Sequence, residues 1–217
     1  MNATAKLAAL LCAISLFLPA AAGAESHVRK PGVQPALPLG TWHYGVFVGK
    51  TRLGTADVSL SFDGAVYVSS SVMTMQRDNG AVVCVMSETE KETAGFAPVS
   101  YSSSTIIISG SKESRALLKA TFRNGEADID DGQEKRTIKI EGPFHITPNV
   151  LAAKMTREGL KPGNVSRAMI YDPTVDEEKP VEMTDTVVGQ ELVELPSGKA
   201  RLTHTSQTFG PLKNIHN

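Results

Sequence analysis

Thr55-Ala56-Asp57-Val58-Ser59-Leu60-Ser61-Phe62 places Ala56, Val58, Leu60 and Phe62 on one side of an extended chain and polar residues on the other. A period of two is a strand signature and demands one buried and one wet face. Asp63-Gly64 follows at once, and Asn79-Gly80, Asn124-Gly125 and Ser197-Gly198 recur between similar runs. These dipeptides readily take the positive φ that tight hairpin turns require. The pattern therefore predicts a succession of antiparallel hairpins.

Further strands are expected over Trp42 to Val48, Ala65 to Gln76, Ala81 to Glu90, Pro98 to Ile108, Arg115 to Arg123 and Lys135 to Ile140. Beyond them come Ser166 to Tyr171, Val181 to Leu195 and Lys199 to Thr208, again rich in Val, Ile, Thr and Ser. One helix interrupts the series. Thr147 can cap it, Pro148 suits its first turn, Val150, Leu151 and Met155 form a narrow apolar stripe, and Gly159 offers a stop after Glu158. The fold class expected is mainly β, a large curved antiparallel sheet or open β-barrel with one short α-helix.

The chain opens with Lys6, an apolar run from Leu7 to Leu18, Pro19 and the small residues Ala20 to Ala24. That is the layout of a secretory signal peptide, and it falls short of the ~18 apolar residues of a spanning helix. Cleavage is expected after Ala24, with a periplasmic mature protein. The organisation expected is signal peptide at 1–24, a flexible leader at 25–40, one β-rich domain at 41–210 and a tail at 211–217. Lys6 is the only charge in the signal, so of 22 basic residues 21 remain against 23 acidic ones. Near neutrality without charge blocks gives no footprint for nucleic acid. After cleavage no transmembrane segment is expected, and Cys84 is left alone, without a disulfide partner.

No catalytic constellation is recognisable. Cys84 lies in the apolar run Ala81 to Met86, where a buried, hydrophobe-like thiol is the plainer reading. His43, His145 and His204 stand singly, without a ligand spacing, so neither metal nor cofactor is assigned. Glu88, Glu90 and Glu92 share a strand face, but the interleaved Lys91 favours a solvated face. Asp128, Asp130 and Asp131, and Asp176 to Glu178, read as turn or loop acids. Asn164-Val165-Ser166 matches the glycosylation acceptor pattern, a short motif that often arises by chance. The candidate binding residues are Trp42, Tyr44 and Val46, alternating along the first strand, with Met73 and Met75 on a later one. Aromatic and methionine side chains of this kind can line a groove for an apolar ligand, although core packing accounts for the same pattern.

A wider layout links Tyr44 to Gly54, Gly95-Phe96-Ala97-Pro98, Pro148 to Gly163, Tyr171-Asp172-Pro173 and Val187-Val188-Gly189-Gln190-Glu191. In that order the segments resemble the β-rich domain preceding the catalytic core of some bacterial exported transglutaminase-like proteins. More loosely they resemble periplasmic domains of unknown function with the same layout, and the expected fold resembles in general shape the periplasmic lipoprotein-carrier architecture. The resemblance spans roughly Tyr44 to Phe209 and implies no catalytic residue here, since the family's Cys, His and Asp lie in a downstream core and its nucleophile opens a helix. Gly210 to Asn217 shows no closing strand, which would leave an unpaired sheet edge. The expected function is a non-catalytic periplasmic binding or accessory module, serving the cell envelope or a separately encoded envelope protein. The alternatives are a carrier of lipid or another apolar ligand, and the recognition half of a truncated transglutaminase-like enzyme.

Overall fold

The computed structural model describes residues 37–48, 50–77, 80–176, 178–195, 198–210 and 212–216. The expected signal peptide and most of the expected leader lie outside these residues. The chain divides into two compact units: one holds residues 39–140, the other residues 141–216 with 37 and 38.

The first unit is an eight-stranded antiparallel sheet in sequential order. Its strands are β1 (Gly40–Val48), β2 (Thr51–Phe62), β3 (Val66–Gln76), β4 (Val82–Thr93), β5 (Pro98–Ser109), β6 (Lys112–Arg123), β7 (Glu126–Asp130) and β8 (Lys135–Lys139). Turn chemistry sets the register. Asp63 Oδ1 accepts the amides of Ala65 and Val66 at 2.9 and 2.8 Å beside Gly64, whose φ is 102°. Asn124 and Gly125, at φ 53° and 79°, make the reversal between β6 and β7.

With register fixed, alternate residues align in rows across the sheet. Ala56, Leu60, Tyr67, Met73, Tyr101 and Ile129 share the buried face. At one end Phe62, Tyr67 and Phe96 cluster, with ring centroids 4.5 Å apart for the first pair and 5.3 Å for the second. Phe96 takes φ 62° in a tight loop closed by Thr93, whose carbonyl receives the Phe96 amide at 2.8 Å. Stacking and burial of a large ring offset that backbone conformation.

Asp128 and Asp130, expected with Asp131 among turn or loop acids, lie instead on strand β7. Its alternate residues Ala127 and Ile129 are fully buried, and its acids are held on the wet face: Asp128 accepts from Arg123 at 2.8 Å and Thr137 at 2.7 Å. Five residues carry too little alternation to stand out against three carboxylates.

The second unit contains α1 (Asn149–Glu158), β9 (Val165–Ile170), β10 (Val181–Leu195), β11 (Gly198–Phe209) and β12 (Leu212–His216). The four strands are antiparallel in the order β12-β11-β10-β9. Thr147 Oγ1 accepts the Asn149 amide at 3.1 Å at the start of α1, and Gly159 takes φ 86° at its end. Val150, Leu151 and Met155 are buried, and Lys154 reaches across to donate to the Arg167 carbonyl of β9 at 3.0 Å.

Strand β12 corrects the expectation of a strandless tail. Gly210, at φ 53°, lets the chain reverse so that Leu212 pairs with Phe209 and His216 with Ser206. The chain is thus mainly β, with a large antiparallel sheet and, among the described residues, one short helix.

Candidate functional site

The five candidate groove residues fall on one face of the first sheet. In the row Tyr44, Ala56, Met73 and the next row Val46, Gly54, Met75, β1 and β3 supply large side chains while β2 between them supplies a methyl group or nothing. Trp42 and Val58 begin the adjoining row. On this face the side chains of β2 thus shrink to Ala56 and Gly54 between the larger aromatic, valine and methionine groups of β1 and β3. Gly54 is required there: a Cβ at this position would stand 2.0 Å from the Thr74 carbonyl oxygen. Val46, Ala56 and Met73 are buried, whereas Trp42, Tyr44 and Met75 are half-buried. Burial pushes the Tyr44 phenol up to about 12, so it stays a neutral hydroxyl.

Next to these rows the same face turns polar. Val58 aligns with Ser71, Glu88 and Ser103, and Leu60 with Ser69, Glu90 and Tyr101. Glu88, Glu90 and Glu92 were expected on a solvated face. They share the face of Cys84 and Met86 instead; Glu92 is buried, and Glu88 accepts the Tyr101 hydroxyl at 2.9 Å. Lys91 does not neutralise them because it points to the opposite, exposed side.

Cys84 is buried, and that burial raises its thiol pKa, which opposes thiolate formation. The histidines have separate partners. His43 Nδ1 lies 2.6 Å from Asp57, His204 Nδ1 lies 2.7 Å from Glu191, and His145 forms a backbone bridge with Ile170. Among the described residues no group of three or more His, Cys, Asp and Glu side chains is placed to hold a metal ion. The glycosylation pattern is spent on structure: Asn164 Nδ2 donates to the Gly159 carbonyl at 2.7 Å, and Ser166 is buried. A depression of about 480 Å³ over β6 to β8 is lined by ions already paired, Asp128 with Arg123 and Asp130 with Lys135.

The second sheet holds a group that strand-by-strand reading missed. Asp185 on β10 stands opposite Gln207 on β11 and Ser166 on β9; Val187 stands opposite Thr205. All four polar side chains are buried, Asp185 and Gln207 completely. Both carboxylate oxygens of Asp185, both amide atoms of Gln207 and the Thr205 hydroxyl find no hydrogen-bond partner among the described residues. Burial pushes the Asp185 carboxyl up to about 7. The adjacent Thr186 amide opposes the rise only in part and forms no hydrogen bond of good geometry with it. The available signal was parity: Asp185 falls in step with Met183 and Val187, and Gln207 with Phe209.

No family profile matches the chain, and no curated protein matches it. Among solved structures it is similar to a beta-barrel-like protein of the domain of unknown function DUF1849 from Brucella abortus. The two are 12% identical with a TM-score of 0.50, over 73% of this chain and 70% of that one. This likeness concerns fold: both are β-rich domains. It leaves the transglutaminase-like resemblance unaddressed. No helix among the described residues is long and apolar enough to cross a membrane.

Proposed function

We propose that this protein is an exported, non-catalytic binding module of the cell envelope, and that the trough between β1 and β3 receives the apolar part of its ligand. The observation that carries the proposal is the pairing of large with absent side chains in adjacent rows: Tyr44 and Val46 face Met73 and Met75 across Ala56 and Gly54. A sheet that only needed to bury this face would gain more from a full-sized residue than from the single methyl of Ala56, whereas Gly54 is set separately by the Thr74 carbonyl. Methionine adapts its shape to different apolar surfaces, and half-buried Trp42 and Tyr44 keep apolar area available for contact. The polar rows with Ser69, Ser71, Glu88 and Glu90 beside it suit an amphipathic ligand, with its polar end over them.

Native mass spectrometry of protein isolated from the source cell's periplasm tests this reading. It predicts a bound apolar or amphipathic species that is lost when Met73→Glu places a charge in the trough. Wild-type and variant spectra that both show only the bare chain would overturn it. The same spectrum reads the export claim, which requires a mature chain beginning at Glu25; a mass that retains Met1 to Ala24 contradicts it.

A further inference from the structure

We propose that Asp185, Thr205 and Gln207, with Ser166 beside them, form a binding site for a primary ammonium group carried on a slender chain. The site lies on the second sheet and stands independently of the trough. Five polar atoms without partners on neighbouring strands are too many for packing alone, since each unmet buried group costs about 1–3 kcal/mol. Their chemistry selects the ligand. The carboxylate accepts only, Gln207 and Thr205 add further acceptor oxygens, and the donors are one amide nitrogen and one hydroxyl.

The neighbours on this face are apolar: Met183, Val187, Phe209, Ala168 and Ile170. The charged Arg167 has the opposite parity on β9 and is exposed. On β9 and β10 this face carries no cation, and on β11 the cations of the same parity, Arg201 and Lys199, are exposed and lie beyond Thr203, so neither balances Asp185. A sugar hydroxyl would satisfy hydrogen bonds and leave the charge buried. A primary ammonium, with three N–H donors and a positive charge, answers both needs. The cluster lies where β9 begins: Gly163 donates to the Val187 carbonyl at 2.8 Å, and Val187 donates to the Asn164 carbonyl at 2.9 Å. The ladder of β10 shifts register between Val187 and Gly189, so the site adjoins a loop and a bulge.

The test follows the ¹³C carboxyl signal of Asp185, assigned by its loss in D185N, through a pH titration of the whole chain. The probes are methylammonium, n-butylammonium and tetramethylammonium. The proposal expects the two primary ammonium ions to lower the Asp185 midpoint by at least about one unit. Tetramethylammonium, with the same charge and no N–H, should leave it in place, and the thermal midpoint should rise only with the primary amines. T205V, which removes a single hydroxyl, should weaken methylammonium binding about tenfold, and it keeps the test decisive should D185N fail to fold. An Asp185 midpoint unmoved by either primary amine would assign the cluster to structural water. Equal effects from tetramethylammonium would reduce it to ionic strength. Either result overturns the proposal.

Discussion

Replacing Asp185 with Asn should make the protein more stable, and by an amount that grows with pH. Asp185 is completely buried with neither oxygen hydrogen-bonded among the described residues, and its carboxyl is raised from the ordinary 3.8 to about 7. A folded-state pKa above the unfolded one means that the fold favours the neutral acid. The stability so gained is fully present below the unfolded value, begins to be lost above it, and is gone once pH has passed the folded value. Three units of difference correspond to about 4 kcal/mol in all, of which about 3 kcal/mol falls between pH ~5 and pH ~8. That is a large share of the ~5–15 kcal/mol that holds a domain folded. Asn has the same shape and cannot ionise, so subtracting the wild-type urea-unfolding free energy from that of D185N at each pH isolates this group. The difference should climb by about 3 kcal/mol over that interval and level off above pH ~8. A flat difference would refute the reasoning, because it would mean that the ionised carboxylate finds a compensating partner in the fold.

Gly54→Ala should destabilise by about 3 kcal/mol in urea unfolding, since the new methyl meets the Thr74 carbonyl rather than a yielding side chain; a loss below ~1 kcal/mol contradicts that contact. Leu151→Ala, at a fully buried position of α1, should cost about 2–5 kcal/mol by the same assay, and a neutral result would mean that the helix face is not packed. The Cys84 thiol should react with a disulfide reagent only as the protein unfolds, and fast modification of the folded chain would show an accessible thiolate instead.

Much of the fold was legible because it is built from local rules. Alternation in β2, the Asp63-Gly64 and Asn124-Gly125 turns and the stripe of α1 each act within a few residues, and each appears where the pattern predicts. The five trough residues were legible as two alternating sets. Their convergence depended on register across β2 and on Gly54, which in sequence is simply another glycine. Two elements were hidden by composition: β7 by its acids, and β12 by the brevity of Leu212–His216 after Gly210. The Glu88 to Glu92 face was misread because Lys91 is adjacent in sequence but on the other side of the pleat. The Asp185 group was missed because its members come from three strands, and only their parity with Met183 and Phe209 marks them as buried.

The binding claim is tested most directly through Trp42, the sole tryptophan of the chain, whose row borders the trough. Its emission can be followed while the folded protein is titrated with dodecanoate and with a brominated dodecanoate that quenches on contact. The account predicts saturable binding of both, a blue shift with the first, quenching with the second, and loss of both responses in Met73→Glu. Emission that ignores dodecanoate, or quenching that rises without saturation and persists in the variant, would contradict a ligand seated between β1 and β3.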